Sequence, residues 1–227
     1  MRTARGVAIG MALVMVAVTT TGVTAQRPAA IEAVVQDDKG RPVDDAVVVL
    51  IPTGTASTPG RPAAPPAVMD QVDKEFVPRV LPVNIGTAVT FPNRDNIKHH
   101  VYSFSPAKKF ELPLYTGTPT SPVVFDRSGV VVLGCNIHDW MVAYVYVAPS
   151  PWFAKTAADG RARITDVPTG TYEARVWHPR MRLPTEKTVQ PVTVAAADPR
   201  RLAWSLALKR EWRAPRGPGR YDGQTGG

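Results

Sequence analysis

The chain has 227 residues and a formal net charge of +8 at pH 7, which favours acidic partners or surfaces. No basic helix and no interleaving of aromatic with basic residues accompanies that charge, so the composition does not support a nucleic-acid-binding protein. The single cysteine, Cys135, excludes an internal disulfide. A lone thiol is then an inert buried residue, an intermolecular link or a ligand.

The first 25 residues have the pattern of a secretory signal peptide. Arg2 and Arg5 precede the apolar run Val7–Val18, which is too short for a typical membrane span. Small and polar residues then lead to a cleavage site after Ala25. We therefore predict a periplasmic or secreted protein with no stable membrane insertion after leader removal. An uncleaved membrane anchor is the alternative.

Short β-rich runs follow the leader. Ile31–Val35 and Ala46–Ile51 flank a turn rich in Gly, Pro and Asp, which predicts a hairpin. Residues 53–66 lack hydrophobic periodicity and are typical of a linker. Residues 105–122 are predicted to be irregular, with a short strand near Leu112–Tyr115. The other strands predicted up to residue 148 are Val68–Val72, Phe76–Val83, Gly86–Phe91, His99–Phe104, Val123–Phe125, Val130–Leu133 and Val142–Val147.

A second group of strand-like runs lies beyond residue 148, and helix signals are almost absent. The basic, Gly/Pro-rich residues 209–227 predict a disordered tail. Many short strands with Gly/Pro turns predict an all-β protein built as a sandwich or barrel. The runs of this second group are Ala154–Thr156, Ala162–Ile164, Tyr172–Trp177, Val192–Ala195 and Leu202–Leu208.

Four potential metal ligands stand at the ends of these predicted strands. Cys135, His138 and Met141 share one short turn, and His99 begins an earlier strand. A thiolate, two imidazoles and a weak thioether are the ligand set of a blue-copper site. Zinc more often gathers several cysteines or histidines without a methionine. His99 or Met141 alone would be an ordinary surface or core residue, but the combination predicts one copper ion.

Residues 67–148 resemble the cupredoxin family, of the plastocyanin and amicyanin type. The resemblance rests on VNIGTAVTFPN, HHVYSF and GVVVLGCNIHDWM, and the spacing of Cys135, His138 and Met141 matches the short amicyanin-like ligand loop. It implies a Greek-key β-sandwich that holds copper. Exported proteins labelled methylamine-utilisation accessory proteins are similar over nearly the same span.

The flanking segments resemble a second fold, the carboxypeptidase-regulatory or transthyretin-like β-sandwich, an immunoglobulin-like architecture. VVQDDKGRPVDDAVVVL is similar to its first strands and AKTAADGRARITDVPTGTYEARVW to its later half. A two-stranded hairpin alone is marginal in water, and domain insertions succeed at exposed loops. We therefore predict that the cupredoxin domain, residues 67–148, is inserted into a sandwich formed by residues 26–52 and 149–208. Two consecutive domains with an unrelated N-terminal hairpin are the alternative.

The resemblance also distinguishes the two adjacent histidines. His99 stands where the family has its ligand histidine, which is followed by one other residue and then by a valine, here Val101. His100 takes a place often held by an asparagine that helps fasten the ligand loops, and the alternative is that His100 itself binds metal. Gly134 is predicted to permit close backbone approach at the ligand loop, and Asn136 to cap its turn or to be a plain turn residue.

Residues around these ligands could contact a partner. Trp140 lies between His138 and Met141 and would line a docking patch or belong to the core. Lys98, Lys108 and Lys109 cluster in sequence around the His99 strand. They would form a basic rim that steers an acidic partner, or they are ordinary solvated loop charges.

With all four ligands supplied by the protein, no position is open for a substrate, so an enzyme is not expected. The sequence predicts an exported mononuclear type 1 copper protein that transfers single electrons to a protein redox partner, such as a cytochrome or a dehydrogenase. The alternative is an accessory protein that stores or delivers copper for maturation of a periplasmic enzyme such as an amine dehydrogenase system. A third hypothesis is a metal-free interaction domain that keeps only the fold.

Overall fold

The computed structural model describes residues 29–54, 65–195 and 200–210. Within them the chain is all β apart from one turn of 3₁₀ helix at Thr185–Thr188, which confirms the predicted fold class. No helix in these ranges is long and apolar enough to cross a membrane. The predicted signal peptide, most of the linker and most of the basic tail lie outside the described residues. The strands are β1 (Ala29–Asp37), β2 (Val47–Pro52), β3 (Ala67–Val68), β4 (Asp70–Val72), β5 (Glu75–Val77), β6 (Val80–Asn84), β7 (Thr87–Thr90), β8 (His99–Ser105), β9 (Lys108–Tyr115), β10 (Val123–Phe125), β11 (Gly129–Gly134), β12 (Val142–Ala148), β13 (Phe153–Lys155), β14 (Arg161–Val167), β15 (Gly170–Trp177), β16 (Gln190–Val194) and β17 (Arg200–Leu206).

The first two strands and the last five build one sandwich, the flanking sandwich. One sheet has the order β14-β1-β17 and the other the order β13-β2-β15-β16. Between them lies an apolar core that includes Ile31, Leu50, Trp152, Tyr172 and Trp204. Strands from both sides of residues 67–148 therefore share one core, which is the arrangement that an inserted domain predicts.

The predicted hairpin of β1 and β2 is wrong. β1 pairs with β14 and β17, whereas β2 pairs with β13 and β15, so the two strands belong to opposite sheets. All four residues Val47–Leu50 are buried, with Val48 and Leu50 in the core and Val47 and Val49 on the other face. A strand covered on both faces is apolar throughout and needs neighbours on both edges, which a hairpin partner alone does not supply.

Residues between the two halves form the central sandwich. Its larger sheet has the order β6-β12-β11-β8-β9, and a smaller sheet has the order β10-β7-β3. Neighbours that are not consecutive in sequence mean that the chain crosses between sheets, as in Greek-key sandwiches. Strand β8 alternates as predicted, with Val101 and Ser103 buried and Tyr102 and Phe104 towards the outside.

Strand β9 is longer than the sequence predicts. It runs from Lys108 to Tyr115 and pairs with β8 along most of its length, with a register shift between His99 and Val101. Pro113 makes this segment resemble an irregular loop in sequence. Because β9 is the edge of its sheet, the proline is tolerated without loss of the pairing.

The two sandwiches contact each other through an apolar cluster. Val47 and Val49 of β2 pack with Val80 and Tyr146 of the central sandwich. The ring of Trp177 lies 5.3 Å from that of Tyr146. The flanking sandwich therefore covers the β6–β12 end of the larger central sheet.

Candidate metal centre

Strand β8 and the β11–β12 loop bring three potential ligands together. His99, the first residue of β8, is fully buried. Cys135 directly follows β11 and is also buried, and His138 is partly buried in the same loop. One potential ligand atom from each of these residues lies within 4.8 Å of the others. The arrangement can therefore hold a metal ion between two elements that are far apart in sequence.

The β11–β12 loop owes its shape to the pairing that closes it. Gly134 pairs with Val142, so residues 135–141 are confined to a short excursion between paired strands. Inside it, the Met141 N–H donates to the His138 carbonyl at 2.9 Å. Met141 is buried in the same apolar cluster as Cys135.

The ring of Tyr102 lies against Gly134. A Cβ built on Gly134 would lie 2.7 Å from Cζ of Tyr102, a separation that real Cβ atoms essentially never show. Glycine is therefore needed at position 134 because a side chain of the neighbouring strand approaches closely, and not because of an unusual backbone angle.

A carboxylate holds the His99 ring. His99 Nε2 lies 2.7 Å from Asp95 Oδ2. Burial raises the pKa of the Asp95 carboxyl, but the hydrogen bonds from His99 and from the backbone N–H groups of Lys74 and Asp73 outweigh it, so the pKa lies below its ordinary value. An ionised Asp95 accepts a hydrogen bond, so Nε2 carries the ring proton and Nδ1 keeps its lone pair.

The remaining ring nitrogens support metal binding. Nδ1 of His99 and Nδ1 of His138 are buried, and within the described ranges neither has a hydrogen-bond partner. A buried polar atom without a partner costs free energy, so a pair of such atoms beside a buried thiol calls for an explanation. A metal ion bound by both nitrogens and the Cys135 sulfur would satisfy all three groups.

The surroundings of His138 favour its neutral form, which suits metal binding. Burial lowers the pKa of His138, with further lowering from the nearby His99 and Lys74. Its ring stands 5.1 Å from the rings of both His99 and Trp140. A neutral imidazole is the form that binds metal.

His100 lies on the other face of β8, away from the cluster. Its Nε2 is 2.9 Å from Oε1 of Glu111, and its ring packs 5.5 Å from that of Tyr102. The register shift between His99 and Val101 interrupts strict alternation here, but the contacts of His100 with Glu111 and Tyr102 hold its ring away from Cys135. The structure groups His99, and not His100, with Cys135 and His138.

The other predicted site residues are spread more widely. Trp140 is half-buried, and its indole N–H donates to the Lys74 carbonyl at 3.1 Å. Asn136 and Lys98 are exposed. Lys108 and Lys109 pair with Ser105 and Phe104, at the far end of β8 from His99. At about 3.3 Å per residue they lie roughly 15–20 Å along the strand from His99, so these two lysines do not adjoin the cluster and their role in partner docking stays a prediction.

Three polar residues besides Asp95 support the site through hydrogen bonds. The Asn93 amide donates to the carbonyls of Ile97 and Tyr115 at 2.8 Å each, and its oxygen accepts from the Asp95 N–H. Burial raises the pKa of Tyr115 to about 12, and Gln71 donates to its hydroxyl. The only sequence signal for Asp95 is a carboxylate four residues before His99, a separation with no fixed meaning in a loop.

Several solved structures are similar to part of this chain. A Cu-containing nitrite reductase from Thermus scotoductus SA-01 is 23% identical over 42% of this chain and 25% of that one, with a TM-score of 0.35. A purple cupredoxin from Nitrosopumilus maritimus is 26% identical over 36% of this chain and 99% of that one, with a TM-score of 0.32. An amicyanin point mutant in its oxidised state is 24% identical over 36% of this chain and 81% of that one, with a TM-score of 0.33.

This chain therefore spans about a quarter of the length of the nitrite reductase. No family model matches the sequence, and no curated protein matches it.

Proposed function

We propose that this chain is an exported mononuclear copper protein that passes single electrons between protein partners. The observation that carries the proposal is the convergence of His99, Cys135 and His138 within 4.8 Å, with two buried imidazole nitrogens that lack another partner in the described part of the chain. The resemblance of the surrounding segments to cupredoxins supports the same conclusion.

The chemistry of the donor set favours copper. A soft thiolate with two imidazoles suits copper, and the buried Met141 is the type of weak ligand that completes a blue-copper site. Bound copper would supply one-electron chemistry by changing between Cu(I) and Cu(II). The protein's own contribution is to hold His99 on a paired strand and Cys135 at the end of another, so that the donors move little.

A carrier is favoured over an enzyme because the set leaves no open position once Met141 joins it. The leader carries two arginines and no acidic residue, so the net charge after its removal is +8 minus 2, or about +6, which supports a partner with an acidic surface, such as a cytochrome or a dehydrogenase. The N-terminal pattern of residues 1–25 supports export to the periplasm or beyond.

The test is the absorption and electron paramagnetic resonance spectrum of the leaderless protein after addition of Cu(II). We expect an intense thiolate-to-copper band in the visible region, and its complete loss in Cys135→Ser. A wild-type protein without this band contradicts the proposal. A protein that shows the band, exchanges electrons slowly and passes its copper to an acceptor would instead be an accessory protein for copper delivery.

A further inference from the structure

The carboxylate of Asp95 contacts three groups at once. Oδ2 lies 2.7 Å from Nε2 of His99 and accepts the Lys74 N–H at 2.9 Å, while Oδ1 accepts the Asp73 N–H at 2.8 Å. Only 13% of the side chain is exposed. A carboxylate this enclosed keeps its charge because each oxygen is hydrogen-bonded.

The turn that donates to Asp95 has an unusual backbone. Asp73 and Lys74 join β4 to β5 as a two-residue turn with φ of 53° and 60°. This is the type I′ geometry, in which glycine normally fills the second position. The conformation turns both N–H groups towards the carboxylate of Asp95, so the hydrogen bonds help to hold a lysine in the left-handed region.

The same turn contacts the segment that carries the other ligands. The Lys74 carbonyl accepts the indole N–H of Trp140, which stands beside His138. The hairpin is also attached to the loop of Asp95, since the Arg94 guanidinium lies 2.8 Å from the Asp70 carboxylate. One turn therefore connects the segment of His99 with the segment of His138.

We propose that Asp95 is a positioning residue of the metal centre, which fixes the His99 ring with Nδ1 towards Cys135 and His138 and whose negative charge favours Cu(II) over Cu(I). The inference rests on the proposed copper site and adds to it the residue that sets its affinity and reduction potential. Carboxylates that accept from a metal-bound imidazole raise the basicity of that ligand, and their removal typically costs 10–100-fold in metal affinity.

The experiment compares Asp95→Asn with Glu111→Gln. Both replace a carboxylate by an amide beside a histidine Nε2, but Glu111 contacts His100 on the opposite face and is 65% exposed. For Asp95→Asn we expect a retained thiolate band and a 10–100-fold weaker Cu(II) affinity with little change for Cu(I). At 59 mV per tenfold change, the reduction potential should rise by about 60–120 mV. Glu111→Gln should change the affinity less than threefold.

A second readout needs no copper. In the metal-free wild type, ¹⁵N NMR should show His99 with its proton on Nε2, and Asp95→Asn should lose this preference. An amide cannot accept from all three donors, so Asp95→Asn should also be less stable, and the readout is the position of the ring proton rather than the free energy of unfolding. If Asp95→Asn does not fold, Asp95→Glu keeps the charge, and its potential should stay near the wild-type value.

Different failures have different meanings. Three results would overturn the role of Asp95 and leave the copper site standing. The first is an equal potential in wild type and Asp95→Asn, and the second is an equal shift in both amide variants. The third is an Asp95→Glu potential as far from the wild-type value as that predicted for Asp95→Asn. Absence of the thiolate band in the wild type would contradict the proposed function itself.

Discussion

Two adjacent histidines in β8 have opposite surroundings. His99 faces Cys135 and His138 and is held by Asp95, whereas His100 faces Glu111 and Tyr102 on the outer side. Alternation along the strand predicts opposite faces for Val101 and Tyr102, but the sequence left His100 open as an alternative ligand. The sequence does not say which residue would contact each ring.

The contrast predicts different effects of the same substitution at neighbouring positions. His99→Ala removes a buried ring of the cluster, so the thiolate-to-copper band should disappear. His100→Ala removes a ring outside the cluster, so the band should remain with a modest shift. The visible spectrum after titration with Cu(II) measures both. The reverse result would show that His100 is the ligand.

At the scale of elements, the β4–β5 hairpin is the part of the candidate site least accessible to sequence reasoning. Its turn, Asp73-Lys74, lacks the glycine that signals a two-residue hairpin loop. Its two N–H groups donate hydrogen bonds to the carboxylate of Asp95, more than twenty residues away, and these bonds help to hold it in shape. A local pattern cannot contain a partner that is brought in by the fold.

The turn leads to a stability prediction. A non-glycine residue in the left-handed region costs about 1–2 kcal/mol, so Lys74→Gly should raise the free energy of unfolding by roughly 0.5–1 kcal/mol after the added flexibility of the unfolded chain is subtracted. Urea unfolding measures the change. The control, Lys109→Gly in the extended strand β9, should destabilise by about 0.5–1 kcal/mol. A less stable Lys74→Gly protein would mean that the turn is not strained.

At the scale of the whole molecule, the two sandwiches are joined through the outer face of β2. This face packs on β6 and β12 rather than on the ligand loop, so the metal cluster and the contact between sandwiches lie on different parts of the central sheet. Mutations of the flanking sandwich should therefore affect stability more than the copper spectrum.

His178, which follows β15, makes the flanking sandwich sensitive to acid. Burial lowers its pKa to about 4, with further lowering from Arg180 and Arg79 and opposing effects from Asp44 and Asp45. The fold accepts the neutral ring, so stability is intact above pH 6.5 and falls as the pH drops towards 4. The loss should reach about 3 kcal/mol at about 1.4 kcal/mol per pKa unit.

The measurement is urea unfolding between pH 7 and pH 4 for the wild type and His178→Gln. The variant lacks the titrating ring, so its stability should fall less steeply over this range. Parallel curves for the two proteins would contradict the prediction. The comparison removes the contribution of other acid-sensitive groups because both proteins share them.

The sequence by itself determined the all-β class, the two faces of β8 and the segments that carry His99, Cys135 and His138. These features depend on short-range properties: a period of two along a strand, Gly and Pro at turns, and donor residues at fixed spacing. Each can be read within a window of a few residues, so no knowledge of the pairing is needed.

Only the tertiary structure decided which strands pair and which distant groups meet. It separated β1 from β2, extended β9 along the edge of its sheet, placed Lys108 and Lys109 far from His99 and brought Asp95 to the His99 ring. Many strands have similar local patterns, so a local pattern does not tell which strands pair. The pairing depends instead on burial summed over the whole molecule. For that reason the candidate ligands were visible in the sequence, whereas the residue proposed to tune them was not.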